Sequence, residues 1–187
     1  MQTSLRVADD VVLEPLRDEH ADALAMLIEA NRAQLARWFP WVAASRSVAD
    51  VRAFVASVAS RHAAGTVDGY AIVVNGEVGG TIDLHEIDRA RTEGRLGYWL
   101  GARFQHGGVM TRAVRAMAER ALLGEGFARI YLIAAVENAA SRAVAERAGF
   151  ALERIAPDGA PTGNGYADAA VYVLTAAALR ATIADGS

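Results

Sequence analysis

The chain contains no cysteine. That excludes a disulfide, a thiol nucleophile and a thiolate metal site, and it leaves the redox compartment open. Lysine is missing as well: all nineteen basic residues are arginine, so no lysine ε-amine is present to be modified. The four histidines, His20, His62, His85 and His106, are scattered without metal-ligand spacing, and no metal is expected. No stretch approaches the roughly 18 consecutive apolar residues that span a membrane. The opening Met1-Gln2-Thr3-Ser4-Leu5-Arg6 lacks a charged segment followed by an apolar one. No secretory leader is therefore expected, and the cytoplasm is the simplest location. A formal charge of only −3 and a 53% hydrophobic composition speak against disorder and against a nucleic-acid-binding surface. At 187 residues, a single domain over 1–187 with a proper core is expected.

What is present alternates between strand and helix patterns. Residues 11–16 read as a strand, followed by a helix over 18–30 with Asp18 as its N-cap. Trp38, Pro40 and Trp41 interrupt the pattern before a second helix, opened by Ser47 and closed by Gly65. Residues 70–74 and 78–84 flank Asn75-Gly76, a pair suited to a type I′ hairpin. Strands follow over 95–100 and 129–136, with a helix over 109–123 between them. A further helix is capped by Asn138 and ends at Gly149. A strand over 150–154, a loop over 157–165 rich in Pro, Gly and Asn, and a strand over 166–174 complete the pattern. It describes one α+β domain around a mixed, mostly antiparallel sheet.

The most informative stretch is Gly97-Tyr98-Trp99-Leu100 followed by Phe104-Gln105-His106-Gly107-Gly108-Val109-Met110-Thr111. A strand runs into a glycine-bearing turn and then into a helix. Such a helix N-terminus offers unpaired N–H groups and positive dipole to an anion, and the glycines let a ligand approach the backbone. This segment resembles the Gln-x-x-Gly-x-Gly/Ala signature of the GNAT N-acetyltransferases. Met110 and Thr111 after Gly-Tyr-Trp-Leu resemble the RimJ/RimL-type branch in particular. Asn31-Arg32, Leu35, Trp38, Pro40 and Trp41 are similar to another segment of that branch. So are Gly79-Gly80 with Leu84-His85, Val136-Glu137-Asn138 with Ser141 and Gly149-Phe150, and Asn164-Gly165 with Asp168.

The resemblance implies a GNAT-type domain whose central strands splay apart, and acetyl-CoA as cosubstrate. Backbone N–H groups of His106, Gly107, Gly108, Val109, Met110 and Thr111, beside Gln105, would meet the pyrophosphate. The Thr111 hydroxyl and Arg103, Arg112 and Arg142 either add to that charge compensation or are solvated. Main-chain groups of Tyr98, Trp99 and Leu100 would pair with the pantetheine arm, while the two aromatic side chains equally suit an ordinary core. Asn138 fits a helix N-cap and, in the family, a pantetheine contact. The superfamily's usual acid, a Tyr seven residues after this Asn, is Ala145 here; the branch's substitute is Ser141, as proton donor to the thiolate.

The branch's Glu two residues before Gly-Tyr-Trp is Arg95, which cannot act as a base at neutral pH. Thr81, Asp83 and His85 share one strand face by alternation, which makes His85 or Asp83 a candidate base. Asp83 also suits a cross-strand ion pair with Arg95. Trp38 and Trp41, with Arg32 as an anion contact, either clamp the acceptor or anchor a helix connection. A protein or peptide N-terminal amine is the expected acceptor, with a ribosomal protein as type substrate. A small amine such as an amino acid, polyamine or antibiotic, or an idle CoA-binding module, stand as alternatives. A homodimer is expected from the branch alone.

Overall fold

The computed structural model describes residues 2–185. Its strands are β1 (Leu5–Ala8), β2 (Val11–Pro15), β3 (Asp68–Val74), β4 (Glu77–Asp88), β5 (Glu93–Leu100), β6 (Arg129–Ala135), β7 (Ala151–Thr162) and β8 (Gly165–Thr175). Its helices are α1 (Ala21–Ala30), α2 (Arg32–Trp38), α3 (Val48–Ala63), α4 (Val109–Glu119), α5 (Ala139–Arg147) and α6 (Ala176–Asp185). The strands join one sheet in the order β1-β2-β3-β4-β5-β6-β8-β7. Neighbours run antiparallel except β5 and β6, which are parallel. This is the α+β architecture with a mostly antiparallel sheet that the sequence predicts.

Period-2 alternation sorts side chains to two faces. Tyr70, Ile72 and Val74 of β3 with Ile82 and Leu84 of β4 enter a core under α4, around Val114 and Met117. Ala71 points the other way, into a second core with Leu24, Ile28, Val51 and Val55 of α1 and α3. Burying each such aliphatic side chain contributes about 1.5–3 kcal/mol, so both layers hold the sheet rigid beneath the site.

The one parallel pairing is short. It runs from Glu93 opposite Arg129 to Leu96 opposite Leu132 and stops. Beyond it β5 stays on β4 as far as Leu100, while β6 stays on β8 as far as Ala135. The two strands therefore part into a wedge, the splay that the family resemblance implies.

Several local readings hold. Asn75 and Gly76 have φ of 50° and 81°, the double left-handed turn of a I′ hairpin. The Ser47 side chain accepts the Asp50 N–H at the start of α3, and Asn138 accepts the Ser141 N–H at the start of α5. Others need correction. Asp18 does not cap a helix: it opens a 3-10 turn, Asp18–His20, in which Nδ1 of buried His20 accepts the Arg17 N–H at 3.1 Å. The expected loop over 157–165 is mostly strand. Register shifts and an Asp158 φ of 49° absorb Pro157 and Gly159, and β7 tolerates its prolines because it is an edge strand. The helix after the glycine turn ends as a π turn over 120–124, where Arg120 is held by Asp68 and Glu125, each at 2.9 Å. Strand β1 and helices α2 and α6 carry no signal that the sequence reading used.

Among the described residues no helix is long and apolar enough to cross a membrane, and no three His, Asp or Glu side chains gather as metal ligands.

Candidate active site

The wedge opens into a cavity of about 800 Å³. Gly97, Tyr98 and Trp99 of β5 form one wall and Ile133, Ala134 and Ala135 of β6 the other; Trp38, Trp41 and Phe54 close it from the helical side.

Thr81, Asp83 and His85 all face this cavity, as the alternation along β4 predicts. His85 Nδ1 lies 2.5 Å from Asp83 Oδ1. Register explains the partnership: Asp83 stands opposite Gly97, and His85 opposite Arg95. A Cβ on Gly97 would come within 2.8 Å of His85 Cε1, so the missing side chain is what lets the imidazole lie across β5. Asp83 does not pair with Arg95, contrary to one expectation. A bulge after His85, with Glu86 at φ 49°, swings Glu86 round to Arg95 at 2.9 Å. Arg95 is thereby occupied, and Asp83 is left to hold the imidazole.

At the other side of the wedge Tyr98 meets α5. Its hydroxyl donates to the Ser141 carbonyl at 3.2 Å and lies 3.0 Å from Ser141 Oγ. Burial pushes the Tyr98 phenol well above its ordinary range, so it stays protonated throughout neutral pH. Either hydroxyl can donate in the second contact. Tyr98 is thus more than a core aromatic, and Ser141, Asn138 and Tyr98 share the cavity lining. Ala145 is fully buried and does not line the cavity.

Gln105 to Thr111 lies past the end of β5. Gln105 Nε2 donates to the Leu100 carbonyl at 3.1 Å, turning the chain. His106 and Gly108 have φ of 69° and 70°. A left-handed histidine is uncommon and marks a backbone held for its N–H directions. A Cβ on Gly107 would meet nothing nearer than 4.0 Å, so its missing side chain leaves open approach to the backbone. Gly108 caps α4; Val109, Met110 and Thr111 have no helical acceptor for their N–H groups, and Val109 and Met110 bury their side chains. Asn31 fixes the approach from behind, since its Oδ1 accepts the Ala102 N–H at 2.9 Å while its Nδ2 donates to the Leu27 carbonyl at 2.8 Å.

The arginines depart most from the sequence reading. Arg32 is not an acceptor contact: it is bound to Glu29 and to the carbonyls of Val42 and Ser45, outside the cavity, and so clamps α2 to the next turn. Arg112 grips both Asp10 oxygens and the Gly107 carbonyl, which makes it a brace of the loop. Arg103 pairs with Glu77. Arg142 donates to Tyr172 Oη at 3.1 Å and the Val136 carbonyl at 3.2 Å, holding α5 against β8. A further basic side chain at the loop is Arg147, 3.5 Å from Thr111 Oγ1. Sequence reasoning missed it because nothing local relates the end of α5 to the start of α4. Phe54, also missed, lines the cavity with Phe39 and Trp41, and the Trp41 ring lies 5.5 Å from Phe39 and 6.1 Å from Trp99.

Comparisons with known proteins agree with this geometry. The acetyltransferase (GNAT) domain family matches residues 10–151. YdaF of Bacillus subtilis strain 168, provisionally named a ribosomal N-acetyltransferase, is 30% identical over 171 residues, 90% of this chain and 93% of its own. The structure of RimL, the ribosomal L7/L12 α-N-protein acetyltransferase, in complex with coenzyme A superposes with a TM-score of 0.86. It is 27% identical, over 92% of this chain and 97% of that one. The microcin C7 self-immunity acetyltransferase MccE, in complex with acetyl-CoA and AMP, gives 0.86 at 26% identity over 94% and 97% of the two chains. A splayed sheet, a glycine turn at a helix N-terminus and a matching family over most of the chain lead to one conclusion: the protein is an acyltransferase of the GNAT family, in its RimJ/RimL-type branch.

Proposed function

We propose that the protein moves the acetyl group of acetyl-CoA to an N-terminal α-amine of a protein or peptide, with a ribosomal protein as the type substrate, and does so as one domain in the cytoplasm. The observation that carries this reading is the wedge past Leu96 and Leu132. It leaves Gly97 to Leu100 of β5 without a strand partner on the β6 side, between a glycine-turn anion site and an acceptor cavity. The pantetheine arm pairs there as an added strand, and the N–H groups of His106 to Thr111 take the pyrophosphate, with Arg147 nearby. Asn138, its Oδ1 engaged in capping α5, keeps its amide N–H₂ for the ligand.

In the reaction the amine nitrogen attacks the thioester carbonyl, and the charge that develops on oxygen is met by the backbone of Tyr98 to Leu100. His85, oriented by Asp83, takes the amine proton; Ser141, beside Tyr98, passes a proton to the departing thiolate and takes one back from solvent. A chain-terminal amine suits this site. Its pKa is about 7.7–8.0 against about 10.4 for a lysine amine, so a modest base suffices where the branch's Glu has become Arg95.

A second reading, a small amine acceptor, draws on the mostly apolar cavity of about 800 Å³ and on the likeness to MccE. Thiol release from acetyl-CoA, measured against N-terminal peptides, polyamines and amine-bearing antibiotics, separates the two. Turnover favouring peptides supports the first reading, and turnover favouring a small amine replaces it. Tight acetyl-CoA binding with no turnover would replace both with an idle binding module. The homodimer expected from the branch would draw on the edge strand β7, where Leu152 and Ile155 are exposed, and light scattering tests it.

A further inference from the structure

The turn between β7 and β8 touches α2 across the mouth of the cavity. At its tip the Gly163 N–H donates to the Arg37 carbonyl at 3.3 Å. A Cβ built on Gly163 would lie 1.7 Å from the Ala36 carbonyl oxygen, far inside the 3.0 Å that real contacts respect. Gly163 is not among the glycines of left-handed φ; at this turn that role falls to Gly165, at φ 114°. Space alone, and not backbone conformation, demands glycine at 163.

This contact lies where the two walls of the cavity meet. Trp38 to Trp41, directly after Ala36 and Arg37, line it from the α2 side; Ala160 and Pro161, directly before Thr162 and Gly163, line it from the hairpin side. Trp38 reaches across as well. Its ring packs with Ala135, Ala160, Ala169 and Val171 of the β6-β8-β7 half and not with the cores of its own helices. The two halves of the sheet, parted by the wedge, are thus rejoined over the cavity by one side chain and one backbone contact. The flanking pair Arg37 and Glu137, 3.8 Å apart and exposed on both sides, adds little.

We infer that this clasp sets the aperture through which the acceptor reaches the thioester, and that Gly163 is a specificity-determining residue of the enzyme. The inference rests on reading the cavity as the acceptor site. A backbone-to-backbone contact cannot yield as a flexible side chain would. A methyl group at 163 would force the tip away from α2 by about 1.3 Å to restore the 3.0 Å limit. Compact amines would then lose the wall that positions them, while bulky ones would gain room.

The test compares the wild-type chain with Gly163→Ala on amines graded from glycinamide to a hexapeptide with a free N-terminus. The ratio of kcat/KM for the hexapeptide to that for glycinamide should rise about tenfold, with the KM for acetyl-CoA changed by less than about twofold. An unchanged ratio, or an acetyl-CoA KM that moves in step, overturns the aperture. The wild-type chain supplies an independent check that survives a variant that does not fold: the Gly163 amide should be protected from hydrogen exchange by its bond to Arg37. Exchange at the rate of a free turn amide overturns the clasp. A wild-type chain that turns over no amine removes the acceptor reading itself, a failure distinct from the other two.

Discussion

The two ends of the wedge are built on different principles. At the glycine turn, the proposed anion site is made of backbone: N–H groups of a short contiguous segment, with His106 and Gly108 in left-handed conformations. At the proposed acceptor end, the cavity is lined by side chains delivered by β4, β5, α3, α5 and the turn after α2. A backbone site depends on few residue identities but on strict conformation. A side-chain site depends on chemistry and on the register of strands far apart in sequence. Substitutions at the two ends should therefore fail in different kinetic parameters.

The largest effect should come from Ser141→Ala, which removes the proposed proton donor beside Tyr98; kcat should fall about 10²-fold with the KM for acetyl-CoA nearly unchanged. A rate within a factor of a few of wild type would assign the thiolate proton to another group. Next, His85→Gln should lower kcat about tenfold on an N-terminal peptide, and by more on a lysine-type amine, whose higher pKa asks more of the base. Equal losses on both amines would break the link between acceptor basicity and the missing Glu. Gly108→Val should act at the opposite end. A left-handed β-branched residue costs about 1–2 kcal/mol, so acetyl-CoA binding, read by calorimetry, should weaken about tenfold with acceptor selectivity unmoved. A shift in acceptor preference would show that the two ends are not separable. The smallest effect belongs to Arg32→Ala, expected to cost about 1 kcal/mol of stability in denaturant melts and to leave acceptor KM alone. An acceptor KM that rises with it would restore Arg32 to the site.

The legibility of the site divides along the same line. The placement of Gln105 to Thr111, Asn138 and Ser141 could be read because each depends on spacing within one strand-turn-helix or one helix cap. The shared face of Thr81, Asp83 and His85 followed from alternation within one strand. The arginines could not be read. Arg32, Arg112 and Arg142 are long cations on helices, and which carbonyl or carboxylate takes them up depends on elements that the local pattern does not relate. Arg112 finds its partner at Asp10, at the start of β2, across 102 positions. The loop expected over 157–165 failed for a related reason, since an edge strand and its bulges admit the prolines and glycine that would break a central one.

By itself, the sequence determined the α+β class, the hairpin at Asn75-Gly76, the caps at Ser47 and Asn138, and the glycine turn before α4. Each is a matter of backbone preference over a few neighbouring residues. Only the tertiary structure decided that the pairing of β5 and β6 stops at Leu96 and Leu132, that Gly97 makes room for His85 against Asp83, that Tyr98 meets Ser141, and that Gly163 closes on Ala36. Those contacts join residues 2 to 127 positions apart, and their geometry exists only once both cores have packed and set the strands in register.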